Sequence, residues 1–382
     1  MKGVFTYMAG SKKRGLAIIY DPNSLRQFIW YYATISKDIV WDALCFPYGG
    51  NNIHMEGYCE KTEIFSQIYT GEDDYFNMPL LTKGMLFLKL CFFFVLKRQD
   101  IVTKKILNAY VDDIDKYNIY LANTDTGFIS GLLARLGKDK EVIYMEDGAF
   151  DYKKRSKWKC NFKTFSFEYW QGFFMSRMGY CSKGRFYFEL TKDCTKYCTS
   201  EKNMRYRNYK EIVEFSQMNR EGSLALYSEI LERLYPELKG YDFSVSDFVF
   251  FTSPMEDLTD KPQKYVEKIE DYISKNHKKI VLKRHPRDTH IYKFRDCESI
   301  EIDQKIPGEV VLPYIRGKNV AFTIPCSIML SMSDSEYDME LLFFDELAQG
   351  TDRSVIRKYS TIEELGEELK DVNCERVNIV YL

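Results

Sequence analysis

A histidine, two arginines and a turn-forming proline stand together at one point of the sequence. They occur in Lys283-Arg284-His285-Pro286-Arg287-Asp288, directly after the apolar run Ile280-Val281-Leu282. An imidazole between two guanidinium groups suits a phosphate, because the arginines supply charge and the ring supplies a hydrogen bond or a proton. Pro286 fixes φ and lacks a donor, which suits the first position of a new turn or helix. His285 is therefore expected where a strand stops, and the carboxyl end of a strand is where open α/β sheets bind ligands. Taken alone, the His-Pro pair reads equally well as an ordinary turn with solvated arginines.

Three further stretches have side chains suited to chemistry. Glu146-Asp147-Gly148 puts two carboxylates at the end of the run Glu141–Met145, beside a glycine that lets a ligand approach the backbone. A positioned carboxylate can take the proton of an attacking hydroxyl, a contribution of about 10²–10⁴ in rate. Ser327 follows Phe322-Thr323-Ile324-Pro325-Cys326 and opens an apparent helix from Ile328 to Ser333. There its hydroxyl either caps the helix or joins the free N–H groups in holding a phosphate. Glu309, in Pro307-Gly308-Glu309, precedes the apolar Val310-Val311-Leu312 and could accept hydrogen bonds from a ribose diol.

These residues need strands to position them. Strands are expected at Val4–Tyr7, Ile39–Phe46, Ile119–Ala122 and Glu141–Met145 in the first half of the chain. In the second half they are expected at Phe248–Phe251, at the run ending in Leu282, and at Ser299–Ile302, Val320–Thr323 and Leu341–Phe344. Helical spacing falls between them, at Ser24–Ser36, around Met85, on to about Val111, and at Phe128–Leu136, Ser223–Leu234, Lys264–Asn276 and Ile362–Leu369. Strand–helix alternation of this kind predicts parallel sheets covered on both faces. Lys153–Tyr209 is rich in Lys, Arg, Tyr and Phe with little periodicity, and reads as a solvated basic, aromatic insertion. Pro236–Asp242 reads as a linker. The expected division is an N-terminal Rossmann-like domain over 1–240, on the acceptor side, and a C-terminal one over 241–382, on the donor side.

Composition excludes several classes. The 382 residues carry a formal charge of −2, so no global field calls for nucleic acid. Ten cysteines without clustered pairs do not form a disulfide framework, which fits a reducing cytoplasm. Cys181, Cys194 and Cys198 match no zinc spacing. There is no Gly-x-x-x-x-Gly-Lys-Ser/Thr and no Gly-x-Gly-x-x-Gly, which weighs against a P-loop ATPase and a dinucleotide oxidoreductase, and no clear metal-binding Asp-x-Asp. The N-terminal apolar run is too short for a signal peptide core. Met85–Leu96, the longest apolar stretch, is too short to span a bilayer and reads as a core helix. An interfacial anchor on the inner membrane and a homodimer face are its alternatives.

In order and spacing the motifs resemble bacterial sialyltransferases, most closely the lipooligosaccharide α-2,3-sialyltransferases of glycosyltransferase family 52. The likeness runs over about residues 40 to 335. Its landmarks are Phe46-Pro47-Tyr48-Gly49, Ile119–Ala122, Ile129–Leu133, Glu146-Asp147-Gly148, Thr252-Ser253-Pro254, His285-Pro286-Arg287 and Cys326–Met332. The acidic-acidic-Gly, His-Pro and Ser motifs also mark the related sialyl- and polysialyltransferase families. The resemblance implies a GT-B fold, two Rossmann-like domains facing a central cleft. It implies CMP-sialic acid as donor, a glycan acceptor of capsule or lipooligosaccharide type, inversion at the anomeric carbon, and no metal.

Carried over by position, His285 binds or protonates the departing CMP phosphate, Ser327 holds that phosphate and Glu309 holds the ribose. The acidic-acidic-Gly, Ser-Pro and His-Pro landmarks bring Gly148, Ser253, Pro254 and Pro286 to the donor side, and Arg284 or Arg287 could serve the donor's carboxylate. In the lipooligosaccharide enzymes the base follows the Ser-Pro pair, where this chain has Met255, then Glu256 and Asp257. In the related families it comes from the motif that here reads Glu146-Asp147, which is the favoured source. The alternatives are a GT-B transferase using another CMP-acid sugar or a UDP-hexose, and a binding module that has lost turnover.

Overall fold

A computed structural model describes residues 13–35, 38–46, 54–71, 80–122, 128–146, 189–198, 201, 204, 209–215, 223–257, 261–323, 327–330, 332, 337–343 and 377–382. These residues fall into two compact units, each built on its own sheet.

The first unit runs β1 (Lys13–Ile19), α1 (Pro22–Ile35), β2 (Ile39–Cys45), α2 (Glu56–Thr62), β3 (Phe65–Thr70), α3 (Leu80–Val95), α4 (Gln99–Leu107), β4 (Ile119–Ala122), α5 (Phe128–Ala134), β5 (Glu141–Met145), β6 (Thr195–Cys198) and β7 (Glu211–Glu214). Its strands lie in the order β3-β2-β1-β4-β5-β6-β7, and every described pairing is parallel. That is the doubly wound order, with its switch point between β1 and β4. Leu16, Ile18, Tyr120, Val142 and Tyr144 are buried in one apolar cluster, as expected of strands covered on both faces. A wholly buried carboxylate, Asp42, is matched by Arg14 at 2.8 and 3.0 Å and by the Tyr117 hydroxyl at 2.8 Å. Paired and hydrogen-bonded in this way, the charge ties β1 and β2 to the segment before β4.

After α6 (Ser223–Leu234), the second sheet is made of β8 (Phe248–Phe251), β9 (Lys279–Lys283), β10 (Glu298–Ile302), β11 (Asn319–Phe322), β12 (Asp338–Phe343) and β13 (Asn378–Tyr381). Its order, β10-β9-β8-β11-β12-β13, repeats the doubly wound pattern in parallel strands. Helix α7 (Pro262–Asn276) starts with proline and buries Tyr265, Val266, Ile269 and Ile273 at helical spacing against this sheet.

The expectation of two Rossmann-like α/β domains is borne out in both sheets. Several elements differ from the sequence reading. The expected first strand, Val4–Tyr7, lies outside the described residues, and the first described strand is Lys13–Ile19. Strand β3 was not expected, because Phe-Ser-Gln-Ile-Tyr-Thr is the half-exposed edge of the sheet and lacks an apolar run. Strands β7 and β13 were missed as well. Part of the supposed insertion 153–209 is β6, paired with β5 and with Lys196, Tyr197 and Cys198 buried. The supposed linker Pro236–Asp242 opens as a 3₁₀ turn, Pro236–Gly240, with Leu238 buried. The final helix, Ile362–Leu369, lies outside the described residues.

Candidate active site

At the carboxyl end of the second sheet three strands finish level with one another. Phe251 of β8 pairs with Lys283 of β9 on one side and with Phe322 of β11 on the other. Thr252, Arg284 and Thr323 are thus the first residues past the sheet at its switch point, between β8 and β11. The doubly wound order places a ligand there.

His285 is held on both sides. Its N–H donates to Thr252 Oγ1 at 3.0 Å, and its carbonyl accepts from the Asp288 N–H at 2.9 Å and from Gln304 Nε2 at 3.1 Å. The ring nitrogen Nδ1 accepts the Arg287 N–H at 3.1 Å. A nitrogen that accepts carries no proton, so the geometry assigns the ring hydrogen to Nε2. Burial, with Arg287 and Lys283 adding to it, pushes the His285 pKa down to about 4. At neutral pH the group is an uncharged imidazole with a single N–H to offer.

Gln304 also donates to the Asp288 carbonyl at 2.7 Å, clamping the turn at both ends. The Asp288 side chain is wholly buried and accepts the His290 N–H and the Tyr292 hydroxyl, each at 3.1 Å. His290 Nδ1 lies 3.3 Å from Glu256 Oε1 and 3.4 Å from Asp288 Oδ1, inside ion-pair range of both and well aligned for a hydrogen bond to neither. Glu256 also accepts the Thr289 hydroxyl at 2.9 Å.

The strand was expected to end at Leu282, but Lys283 belongs to β9 and is buried. Its Nζ donates to the carbonyls of Arg284, at 2.7 Å, and Gln304, at 3.3 Å. Burial pushes its pKa down to about 8, against the pull of Asp303 and Glu309. Glu309 opens the short helix α8 (Gly308–Val311) and so faces the field of a buried ammonium. Gly308 packs against Phe251 and the tip of Ile328, the second residue of α9 (Ser327–Leu330). A Cβ at 308 would run into Ile328, so the missing side chain lets the Glu309 turn close on the Ser327 turn. The Thr323 hydroxyl, just past β11, is buried with no hydrogen-bond partner among the described residues.

In the second unit Ser253, Pro254 and Glu256 follow β8, His285, Pro286 and Arg287 follow β9, and Glu309 and Ser327 lie on the two short helices that meet at Gly308 and Ile328. Ser253 and Pro254 are buried in the turn after β8. Met255 is buried in the core of this unit, so the position after Ser-Pro is a packing position here. Asp257 closes the 3₁₀ turn Met255–Asp257. Arg284 is engaged structurally, with Nε on Glu301 at 2.5 Å and a guanidinium N–H on the His290 carbonyl at 2.9 Å. Glu146 is buried at the end of β5, one residue beyond the Met145 carbonyl that accepts from the buried Lys196 Nζ at 3.1 Å. Asp147 and Gly148 lie outside the described residues. Cys194 and Cys198 are buried and in no disulfide, and Cys181 lies outside the described residues. Among the described residues no group of three or more His, Cys, Asp or Glu could hold a metal ion.

Sequence reasoning missed Thr252 as an anchor, Lys283 as a buried charge, the places of Asp288, His290 and Thr323, and Gln304 altogether. Thr252, Lys283, Asp288 and Thr323 stood inside stretches already singled out. Gln304 carried no signal.

Comparison with known proteins gives a family match. The model described as Alpha-2,8-polysialyltransferase (POLYST) matches residues 92–321, well over half of the chain. No curated protein matches it. Similar solved structures include UDP-GlcNAc 2-epimerase from Methanocaldococcus jannaschii, at 13% identity and TM-score 0.46, covering 95% of this chain and 94% of that one. UGT89C1 of Arabidopsis thaliana, complexed with UDP, is 10% identical with TM-score 0.47, covering 97% and 86%. The glycosyltransferase SnogD from Streptomyces nogalater is 9% identical with TM-score 0.43, covering 96% and 95%.

Proposed function

Since the chain belongs to the alpha-2,8-polysialyltransferase family, we propose that it moves sialic acid from CMP-sialic acid to a hydroxyl of a glycan acceptor. The transfer is an inverting, metal-independent displacement. The observation that carries this reading is the neutral imidazole of His285, anchored at the end of β9 with its one proton on Nε2. Such a group stabilises a departing phosphate without first having to lose a proton or a counter-ion.

The acceptor oxygen attacks the anomeric carbon of sialic acid as the bond from that carbon to the phosphate oxygen breaks. The bonding pair leaves with CMP. His285 hydrogen-bonds its Nε2–H to the phosphate oxygens as negative charge gathers there, and keeps that proton throughout. The hydroxyls of Ser327 and Thr323 hold the same phosphate, and the carboxylate of Glu309 accepts from the ribose. Glu146 or Asp147 takes the acceptor's proton. The family's name points to sialic acid itself, in α-2,8 linkage, as the terminus that is extended. A capsule or lipooligosaccharide glycan is the acceptor class.

The test is release of CMP from CMP-sialic acid, with and without a sialic acid-terminated oligosaccharide. The parent protein turns over, and His285→Ala falls by at least about a hundredfold, the scale of a lost acid or oxyanion group. Near-normal turnover by a folded His285→Ala, or cleavage of UDP-sugars alone, overturns the reading.

A further inference from the structure

Helix α3 (Leu80–Val95) is apolar on two opposite faces, and the unit it belongs to buries only one of them. Leu90 is wholly buried, and Leu86, Phe87, Cys91 and Phe93 pack with it on the core of the first sheet. Met85, Leu88, Phe92 and Val95 face outward, at 58%, 68%, 60% and 76% exposure. At about 100° per residue these four fall within roughly 80° of one another, a single stripe along the helix. Of the eleven exposed large apolar side chains among the described residues, seven lie between Met85 and Ile101, which marks a surface built for contact rather than scattered exposure.

The surrounding charge selects the occupant. Lys89 borders the stripe on the helix. Lys97 takes a left-handed φ of 54° where the helix stops, and Arg98 follows it. Lys89, Lys97, Arg98 and Lys105 are exposed, and Asp100 is the single exposed acidic residue between Met85 and Lys105. Among the described residues no helix is long and apolar enough to cross a membrane. Apolar side chains rimmed by lysine and arginine are what an in-plane helix presents to an anionic bilayer: the rings and aliphatic groups enter the acyl boundary while the basic ends snorkel to the headgroups.

We propose that the outer face of α3, with Ile101, is a peripheral membrane anchor that binds anionic lipid surfaces. The face belongs to the first unit and the donor-site residues to the second, and the proposal does not depend on the proposed reaction. Flotation of the full chain with phosphatidylcholine vesicles, with and without one third phosphatidylglycerol, tests it. The chain floats with the anionic vesicles at about 0.1 M salt and much less in about 0.5 M salt, where screening shortens the attraction. The exposed pair Leu88→Asp/Phe92→Asp, and separately Lys89→Glu/Lys97→Glu/Arg98→Glu, each lower partitioning by about tenfold or more. Both variants keep the parent's melting temperature and its CMP release. Absence of binding to anionic vesicles overturns the proposal, as does binding that the first variant leaves unchanged. A dimer in light scattering that Leu88→Asp/Phe92→Asp dissolves, without vesicle binding, makes the face a self-association surface and overturns it as well.

Discussion

At the scale of residues, the unsettled partner of His285 is the base. Glu256 is foreseen from its place after Met255, but it is already engaged, accepting the Thr289 hydroxyl and standing beside His290. Its place is to tie the turn after β8 to the loop after β9. Glu146 is buried just past the end of β5, at the head of the acidic-acidic-Gly motif. Glu146→Gln or Asp147→Asn should therefore depress transfer to the acceptor by about a hundredfold or more while CMP-sialic acid still binds. Glu256→Gln should stay within about tenfold of the parent, its loss being one of loop order. Steady-state transfer rates beside donor binding by calorimetry measure this. An inactive Glu256→Gln beside active Glu146 and Asp147 variants would move the base to the second sheet.

At the scale of elements, the end of β9 carries two groups that burial drives toward neutrality, His285 and Lys283. For His285 the consequence is acid lability. The unfolded chain takes up a proton near the ordinary histidine pKa of about 6.5, whereas the folded chain waits until about 4. Between those values the unfolded state holds more protons, so stability falls as pH is lowered through that window. The effect is about 3 kcal/mol at most, reduced by the solvent that reaches the ring. His285→Asn keeps an acceptor for the Arg287 N–H but cannot titrate. Urea midpoints from pH 7 to 4 should fall less steeply for His285→Asn than for the parent, and equal slopes would mean the ring is not buried in solution. The motif Lys-Arg-His-Pro-Arg announced the turn because proline restricts the backbone locally. It did not announce that Gln304 would clamp the turn, since that contact depends on β10 returning beside β9.

At the scale of the whole molecule, the two sheets repeat one winding order, and the phosphate-suited side chains gather on the second. Donor binding should therefore be felt there. Hydrogen exchange of the full chain with saturating CMP should slow amides over Thr252–Met255, Arg284–Asp288 and Gly308–Val311. Strands β1 to β3 should change little. Protection confined to the first sheet would reverse the assignment of donor and acceptor sides.

By itself the sequence determined the strands and helices whose pattern is local. Phe248–Phe251 and Ile280–Leu282 are continuous apolar runs, as strands buried on both faces must be. Glu141–Met145 and Ser223–Leu234 were legible for the same kind of reason, an unbroken periodicity. It also placed His285 and Glu146 past strand ends and Ser327 at the start of a helix. The tertiary structure alone decided that Lys283 is buried, that Thr252 holds the His285 backbone, and that Asp288 lies under His290. Among the described residues it alone left the Thr323 hydroxyl without a hydrogen-bond partner and one apolar face of α3 exposed. Each of these depends on which distant segment comes to lie alongside. Burial and hydrogen-bond partnership arise between residues far apart in the chain, whereas propensity and periodicity report only on neighbours.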